Sequence, residues 1–244
     1  MLFRSETAST LERIEFAGDA GTVWTAEQLR VWSLTATPGP DALSGFDADE
    51  AIDGLAGNDA IDGRAGNDTL TGNTGDDRLS GGEGADRYVF NPGWGHDTLN
   101  NADSTAGRDE IVFGPGVDPA SLTVRRSQSD LFISGPTDSL QVQGFFVAEG
   151  TTGNAPARFV FGDAAATTWD LDAIQARALL GTPGDDRITG HATPDLITGG
   201  AGDDRFDGGG GSDTFVLARG FGQDRIDNFD AARTGDRIRF AADI

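Results

Sequence analysis

The chain has 244 residues, which is enough for one or two domains of ordinary size. Only 37% of the residues are hydrophobic, 36 are glycine, and the formal net charge is −22, with arginine present and lysine absent. Such a polyanion does not suit nucleic acid or an anionic membrane surface, because both reward clustered cations. We therefore expect no nucleic-acid partner, whereas multivalent cations suit this charge.

Few kinds of cross-link could stabilise a fold with so thin a core. The chain has no cysteine, so disulfides are excluded, and a structural metal is the usual alternative. MLFRSETAST lacks the apolar core of a signal peptide, and no apolar run has the length of a transmembrane helix. We expect no transmembrane segment. The missing leader alone would favour the cytoplasm.

A nine-residue repeat of the form x-x-G-x-D-x-U-x-G, where U is large and apolar, accounts for much of the chain. The first block has six copies from Thr37 to Phe90, and the second has four from Thr182 to Leu217. A longer period relates whole modules, since Asp59 matches Asp204 at an offset of 145, and Asp86 matches Asp213 at 127. The offsets differ by 18 residues, or two nonapeptides, which indicates that a pair is the structural unit.

Five segments follow from these periods. We predict the tail of a spacer at 1–36, repeat block one at 37–103, a complete spacer at 104–181, repeat block two at 182–230 and the start of a further spacer at 231–244. The segments at the two termini look like parts of a longer array.

The spacer contains strand-like runs that are β-branched or aromatic and are bounded by Gly, Pro and Asp, namely SLTVRR, DLFIS, SLQVQGFFV and ARFVF. LDAIQARALL is the only good helix candidate, with Asp170 and Asp172 at its N-terminus. The predicted fold class is all-β, with two parallel β-roll (β-helix) blocks of glycine–aspartate nonapeptides separated by a mostly antiparallel β spacer.

The chemistry of one repeat, LAGNDAIDG, indicates cation binding. Gly57 and Gly63 permit positive φ, so the chain can turn sharply and present carbonyl groups. Asp59 places a carboxylate at the end of the turn, and Ile61 points inward from a three-residue strand. Two such repeats form one coil, and stacked coils share a thin core of Leu43, Ile52, Ile61, Leu70, Leu79 and Tyr88.

Stacking brings the aspartate of one repeat close to that of the second repeat along, because neighbouring strands lie about 4.8 Å apart. Two carboxylates at that distance repel by roughly 3 kcal/mol at an effective dielectric of 20. Carboxylate and carbonyl oxygens in a flexible frame favour Ca²⁺ over Mg²⁺, and the lack of cysteine argues against zinc. We predict several Ca²⁺ ions, held at Asp41, Asp59, Asp68, Asp77, Asp86, Asp186, Asp195, Asp204 and Asp213 with Gly39, Gly57, Gly66, Gly75, Gly84, Gly184, Gly202 and Gly211.

Two features of the blocks depart from this pattern. Ala48 and Thr193 replace the turn glycine in the second repeat of each block, and Glu50 replaces an aspartate, so we expect irregular turns and weak sites there. A shifted repeat after each block places Asp97 and Asp224 where they either close the last coil around a metal or act as plain caps. For a single repeat, Gly and Asp are equally explained as solvated turn residues. Ten nonapeptides in register favour metal binding over that interpretation.

The two blocks resemble those of RTX (haemolysin-type calcium-binding) proteins, whose repeat is G-G-x-G-x-D-x-U-x. The spacer resembles the haemolysin-type calcium-binding related domain, and the resemblance rests on Asp109, Ile111, Phe113, Phe145, Phe146, Phe161 and Trp169. The resemblance implies a parallel β-roll with Ca²⁺ between its turns. It also implies export by type I secretion machinery, and therefore a secreted, extracellular protein whose export signal is C-terminal.

Two functions remain open. The first is a calcium-induced folding and scaffold module of a larger secreted toxin, adhesin or exoenzyme. The alternative is an adhesin-type segment that binds a cell-surface glycan or protein through exposed spacer aromatics. We predict no enzyme activity, since HExxH, GxSxG and Walker motifs are absent from the sequence. We interpret His96 and His191 as turn residues, and Arg125 and Arg126 as a solvated strand edge.

Overall fold

A computed structural model describes residues 2–4, 13–15, 23–102, 109–151, 154–231 and 235–241. Much of the predicted N-terminal spacer tail, the boundary between block one and the spacer, and parts of the predicted C-terminal spacer lie outside these residues. The described N-terminal part contains a small antiparallel sheet followed by a helix. Its elements are β1 Leu2–Arg4, β2 Arg13–Glu15, β3 Val23–Thr25 and α1 Ala26–Ser33.

Block one is a parallel solenoid with two short strands in each coil. Its strands are β4 Ala42–Ser44, β5 Ala51–Asp53, β6 Ala60–Asp62, β7 Thr69–Thr71, β8 Arg78–Ser80, β9 Arg87–Phe90 and β10 His96–Leu99. Leu43 pairs in register with Ile61, and Ile61 with Leu79, so each strand bonds the second strand after it. The predicted coil of two nonapeptides is therefore confirmed.

The core of block one is a column of single side chains between two sheets. Alternation along each strand points the middle residue inward, because successive side chains of a strand face opposite sides. The six predicted core residues, from Leu43 to Tyr88, are between 0% and 5% exposed. The apolar core is therefore as thin as the composition indicates.

Block two repeats this construction. Its strands are β17 Arg187–Thr189, β18 Leu196–Thr198, β19 Arg205–Asp207, β20 Thr214–Leu217, β21 Arg225–Ile226 and β22 Arg237–Phe240. They form two three-stranded parallel sheets, in which Ile188 pairs with Phe206 and Ile197 pairs with Phe215. These four residues lie in a second buried cluster, separate from that of block one.

The spacer extends the sheets of block one. Its elements are β11 Glu110–Phe113, β12 Thr123–Ser127, β13 Asp130–Ser134, β14 Ser139–Val142, β15 Arg158–Phe161, β16 Thr168–Trp169, α2 Leu171–Ala178, a 3₁₀ turn at Pro119–Ser121 and an irregular turn with two positive-φ residues at Val147–Gly150. The described strands form a seven-stranded sheet, β12-β13-β14-β10-β8-β6-β4, and a six-stranded sheet, β16-β15-β11-β9-β7-β5.

The spacer combines antiparallel pairing among most of its own strands with parallel pairing to block one. Strands β12, β13 and β14 form an antiparallel meander, and β15 pairs antiparallel with β16. In contrast, β11 lies parallel to both β9 and β15, and β14 lies parallel to β10. These strands take the direction of the coils onto which they are added, so one hydrophobic cluster spans block one and the spacer.

The two helices have clear caps. The predicted helix is present as α2, and Asp170 Oδ1 accepts the Ala173 N–H at 2.9 Å. Helix α1 contradicts the expectation of a single helix. Thr25 and Gln28 form a capping box, in which Thr25 Oγ1 accepts the Gln28 N–H and Gln28 Oε1 accepts the Thr25 N–H. Neither helix has the length and apolar character needed to cross a membrane, nor does any other helix among the described residues.

Candidate metal centre

A continuous ladder of hydrogen bonds joins the repeat aspartates of block one. The Asp59 N–H is donated to Asp77 Oδ1, and the Asp77 N–H is donated to Asp97 Oδ1, each at 2.8 Å. Asp41 precedes Asp59 in the same way. Charge-assisted bonds of this kind are roughly twice as strong as neutral ones, so each step fixes one carboxylate oxygen.

The opposite side of block one carries a second ladder, from Glu50 through Asp68 and Asp86 to Asp109, with every step at 2.8 Å. Block two has the same two ladders, Asp186–Asp204–Asp224 and Asp195–Asp213–Asp236, with steps of 2.9 to 3.1 Å. The structure thus brings together all the predicted aspartates, and Asp97 and Asp224 continue the ladders.

Asp109 and Asp236 end two of these ladders, and neither was predicted as a site residue. Both are buried, at 1% and 6% exposed. Their common offset of 127 residues is visible in the sequence and is shared by Asp97 and Asp224. The offset was the signal that could have placed them in the site, although their repeats are shifted by five residues.

The second carboxylate oxygen, Oδ2, is buried without a hydrogen-bond partner at several ladder positions. Among the described residues this holds for Asp59, Asp68, Asp77, Asp97, Asp204 and Asp224. Buried polar groups are normally satisfied, and leaving one unpaired costs about 1–3 kcal/mol, or more when it is charged. A row of such oxygens therefore indicates a ligand that is not part of the polypeptide.

Burial also raises the proton affinity of these carboxyl groups. The pKa of Asp97 is raised to about 8, chiefly by desolvation and also by the nearby charges of Asp77, Asp76 and Asp138, against the lowering effect of the hydrogen bond from Asp77. Desolvation is likewise the largest cause of the raised pKa values of Asp68, Asp77, Asp204, Asp213 and Asp224. Burial therefore favours the protonated form of these carboxyl groups when no cation lies beside them.

The last glycine of each repeat makes room for these oxygens. A Cβ at Gly54 would touch both Asp59 Oδ2 and the carbonyl oxygen of Gly72, and one at Gly63 would overlap Asp68 Oδ2. Gly63 does not adopt positive φ, so the prediction that it supplies a left-handed turn is wrong. Its role is spatial, because only a residue without Cβ leaves a cradle lined by carboxylate and carbonyl oxygens.

The glycine in the middle of each turn brings successive backbones into contact. Gly57 and Gly75 have φ values of +132° and +143°, and a Cβ at Gly75 would overlap the Gly57 carbonyl oxygen. Among the predicted glycines, positive φ is found at Gly57, Gly66, Gly75, Gly84, Gly202 and Gly211. The described residues donate no hydrogen bond to the carbonyl oxygens of Gly57, Gly66 and Gly75, which leaves these oxygens able to bind a cation.

Gly39 and Gly184 differ from the other predicted glycines. Neither adopts positive φ, and an added Cβ at either would meet only a threonine hydroxyl at 3.8 to 3.9 Å. Each belongs to the first turn of its block, which has no preceding coil to contact. Their part in calcium binding stays a prediction.

Turn side chains form a further set of hydrogen bonds between coils, in which the acceptor lies in the earlier coil and the donor N–H in the later one. This is the reverse of the order in the aspartate ladders. Asn58 Oδ1 accepts the Asp76 N–H at 3.1 Å, and Asp76 Oδ1 accepts the His96 N–H at 3.0 Å. Asp185 and Asp203 act likewise in block two. These side chains accept hydrogen bonds from turn N–H groups. The polar groups that remain available for a cation at the turn are therefore carbonyls and carboxylates.

The first members of each ladder already have partners for Oδ2. Asp41 and Asp186 accept the backbone N–H and hydroxyl of Thr37 and Thr182, respectively. In the irregular second repeats, Glu50 Oε2 accepts the Phe46 N–H, and Asp195 Oδ2 accepts the His191 N–H. These carboxylates have less capacity for a metal than those of the inner coils. Weak sites at Glu50 and Asp195 stay a prediction, which we extend to the first repeats.

The spacer covers the open end of block two with arginines. Arg125 Nη2 lies 3.5 Å from Asp186 Oδ1, the oxygen that accepts a backbone N–H elsewhere in the ladders. Arg126 contacts Glu149 Oε2 and His191 Nδ1, both at 3.2 Å, and the His191 side chain is 4% exposed. The interpretation of Arg126 as solvated and of His191 as a simple turn residue is therefore wrong. His96 is exposed at the start of β10.

The residues present fit a hard divalent cation. The available donors are aspartate Oδ2 atoms and glycine carbonyls, which is the all-oxygen set that Ca²⁺ takes with six to eight ligands. In the described parts of the chain no three Asp, Glu, His or Cys side chains converge as a metal-binding group. The carboxylates are instead distributed one per coil along each ladder, so carbonyls must complete any site.

Comparison with known proteins identifies the repeats. The sequence profile of the RTX calcium-binding nonapeptide repeat matches the chain four times, at residues 33–61, 53–88, 62–99 and 180–215. The chain carries RTX calcium-binding nonapeptide repeats. The matches fall on both solenoid blocks, so the expectation of calcium-binding β-roll repeats is confirmed.

Two solved structures are similar to this RTX-repeat chain. One is the AlgE6R3 subunit of the mannuronan C5-epimerase from Azotobacter vinelandii, with 29% identity over 53% of this chain and 83% of that chain, and a TM-score of 0.37. The other is the extracellular lipase LipA from Serratia marcescens, with 17% identity over 82% of this chain and 32% of that chain, and a TM-score of 0.32. No curated protein sequence shows significant similarity to the chain.

Proposed function

We propose that the chain is a calcium-induced folding and scaffold module of a larger secreted protein. The observation that carries this proposal is the column of buried Oδ2 atoms, such as those of Asp59, Asp77 and Asp97, which have no partner among the described residues. A cation between successive coils would satisfy these oxygens together with the turn carbonyls. Binding would then supply folding free energy, as it does in other metal-dependent domains.

The proposed ions lie within the two blocks. The inner positions are the candidates with free oxygens, namely Asp59, Asp68, Asp77, Asp97, Asp204 and Asp224, with the turn glycines Gly57, Gly66, Gly75, Gly84, Gly202 and Gly211 providing carbonyls. Asp41, Asp186 and Asp195 act as weaker ligands because their Oδ2 atoms already accept turn hydrogen bonds. The division into two blocks and three spacer segments stays a prediction.

Calcium control suits export through a type I secretion channel. Cytosolic Ca²⁺ is scarce, so acidic repeats with unpaired carboxylates would remain unfolded there. Extracellular calcium modules have dissociation constants of about 10⁻⁴ to 10⁻³ M, which matches the Ca²⁺ available outside the cell. The proposal therefore assigns folding to the extracellular side and places any enzymatic activity of a larger parent outside this chain.

A calcium titration followed by far-ultraviolet circular dichroism tests the proposal. The full chain should be largely unfolded in chelator, should gain a β spectrum in millimolar CaCl₂, and should gain little in the same concentration of MgCl₂. Mg²⁺ is the matched control, because it has the same charge but demands a tighter octahedral geometry. A fully formed β spectrum in chelator would refute the proposal.

The alternative, a glycan-binding segment, required exposed aromatic residues on the spacer. The large spacer aromatics are instead core residues, between 0% and 3% exposed: Phe113, Phe145, Phe146, Phe159, Phe161 and Trp169. Phe132, at the junction with block two, is only partly buried. The burial of the aromatics favours the scaffold function over recognition of neutral sugars by an aromatic platform.

A further inference from the structure

An arginine-lined cavity lies between the spacer and block two. It has a volume of about 620 Å³ and is formed by the β12–β13 hairpin on one side and β17 on the other. Arg125, Arg126 and Arg187 line it, and among the residues that the structure describes no acidic side chain does. In a chain with a net charge of −22, a cavity lined by three cations and no carboxylate is a local reversal of charge.

Several contacts hold the two walls of the cavity together. Arg126 Nη1 donates to the Gly190 carbonyl at 3.1 Å, and His191 Nδ1 lies 2.8 Å from Glu149 Oε2. The Phe146 ring also packs against the His191 ring, with the centroids 5.8 Å apart. Because these contacts are largely buried, the cavity is a built feature of the junction.

The arginines keep hydrogen-bond donors that face no acid. Arg187 forms no ion pair with any described residue, whereas Arg205 and Arg225, its neighbours across the sheet, share Asp227. Arg125 is 52% exposed and has one contact, at 3.5 Å, with Asp186. Arg126 uses Nε and Nη1, so its Nη2 has no partner within the described part of the chain.

The rest of the lining suits an organic anion rather than a bare ion. Ser127, Ser134 and Thr189 bring hydroxyl groups that both donate and accept hydrogen bonds. Phe132, partly buried in the wall, offers an apolar surface for a ring. Ligand cavities of about 300–1,000 Å³ commonly combine a few placed polar groups with one such apolar face.

We propose that this cavity binds a small organic oxyanion, such as an acidic sugar, through Arg125, Arg187 and the Nη2 group of Arg126. The planar guanidinium fork matches carboxylate, sulfate and phosphate groups, and the three share this chemistry. Phe132 packs against the ring of the ligand, and the hydroxyls orient it. The site goes beyond calcium-dependent folding, because none of its lining residues lies in the aspartate ladders.

Calorimetry on the full chain in millimolar CaCl₂ tests the proposal with three probes: glucuronate, glucose 6-phosphate and neutral glucose. Glucuronate, glucose 6-phosphate or both should bind and glucose should not, and the relative affinities of the two anions tell a carboxylate site from a phosphate site. Arg187→Gln should weaken binding at least ten-fold. Added NaCl should weaken it further, since partly exposed charges are screened.

Arg225→Gln is the matched control, because it removes the same charge from the same sheet at a position outside the cavity. It should leave binding unchanged, and circular dichroism should show that both variants fold with calcium as the parent chain does. If Arg187→Gln does not fold, Ser134→Ala gives the second variant, with an expected loss of several-fold. Binding of glucose as tight as that of the anions, no binding of any probe by the folded chain, or equal affinity in the Arg187 and Arg225 variants would each overturn the proposal.

Discussion

Asp77 Oδ1 accepts the backbone N–H of Asp59 at 2.8 Å, although the two residues are 18 positions apart in the chain. The Asp77 N–H is in turn donated to Asp97. Each carboxylate is therefore fixed by the coil before it, with Oδ1 used by the polypeptide and Oδ2 turned to the cradle beside the last glycine of the preceding repeat. This division explains how a solenoid with so thin a core can position metal ligands without a supporting domain.

Asp77→Asn should raise the calcium concentration needed for half-folding by about ten-fold or more. The amide retains an oxygen for the Asp59 N–H but removes the negative charge and one cation-binding oxygen. Charged hydrogen-bonding groups contribute about 1.5–3 kcal/mol, and 1.4 kcal/mol corresponds to a ten-fold change. The measurement is a calcium titration followed by circular dichroism.

Asp76→Asn is the control for this titration. Asp76 adjoins Asp77 and carries the same charge, but its Oδ1 serves the His96 N–H, which an asparagine also satisfies. The calcium concentration needed for half-folding of this variant should differ from that of the parent chain by less than two-fold. Equal shifts in the two variants would mean that general charge reduction, rather than the ladder position, controls calcium affinity.

In chelator, acidification should stabilise the folded chain. Burial raises the pKa of Asp97 to about 8, and those of Asp68, Asp77 and Asp204 are also raised above the ordinary value of 3.8. The folded state then binds more protons than the unfolded state, so the stability from protonation is complete below about pH 3.8 and is lost as the pH rises towards 8. The β content in chelator should therefore increase as the pH falls through this window.

Asp97→Asn isolates the contribution of the carboxyl group whose pKa is raised to about 8. The amide is neutral at every pH, so the variant in chelator should lose the share of the pH dependence that Asp97 contributes between about pH 3.8 and about pH 8. The share that belongs to the other ladder carboxylates should remain. A pH profile identical to that of the parent chain would show that Asp97 does not titrate in this range.

Gly72→Ala should destabilise the calcium-loaded chain by about 1–3 kcal/mol, the range for forcing extra atoms into a packed site. A Cβ at Gly72 would overlap the side chain of Asp77, including its Oδ2 atom. Gly39→Ala is the control, because its φ is ordinary and its nearest neighbour would be Thr37 Oγ1 at 3.9 Å. Urea unfolding in saturating calcium measures both; a stable Gly72 variant alongside a destabilised Gly39 variant would contradict the cradle.

Much of the structure could be predicted from the period of the repeats. An 18-residue unit, with one large apolar residue and one aspartate in each half, dictates parallel register, so the coils and core from Leu43 to Tyr88 could be read directly. The spacer strands were also predictable from their β-branched runs. Both signals are local or strictly repeated, and neither depends on how distant segments meet.

Relationships between non-repeating segments were not predictable in this way. Asp109 and Asp236 belong to the ladders because the chain returns to the same coil edge after a shift of five residues, which the nonapeptide pattern does not encode. The burial of Arg126 depends on contact between the spacer and block two. Helix α1 was missed because its signal, the capping box of Thr25 and Gln28, is only four residues long.

Leu55→Gly should cost the folded chain little stability, although it removes a large side chain. Leu55 has φ +68°, and the equivalent first position of other repeats is Gly82, Gly200 or Gly209, all with positive φ. A left-handed conformation costs a residue with Cβ about 1–2 kcal/mol, whereas glycine loses about 0.5–1 kcal/mol through its greater freedom when unfolded. Leu55 is 43% exposed, so the burial that the substitution removes should offset the net backbone gain of about 0.5 kcal/mol.

Leu55→Ala separates the backbone effect from the loss of an exposed apolar side chain. Alanine keeps the Cβ that causes the strain and also lacks the rest of the leucine side chain, so it should be less stable than glycine at this position. The hydrogen bond from the N–H of residue 55 to Asp53 Oδ1, at 2.9 Å, remains in both variants. Urea unfolding in saturating calcium should therefore rank glycine above alanine by about 0.5 kcal/mol. If alanine is as stable as glycine, the left-handed backbone at the first position of the repeat is not a source of strain. The glycine found there in other repeats would then be explained by the close approach of the preceding coil, which a Cβ at Gly82 would meet at Arg64.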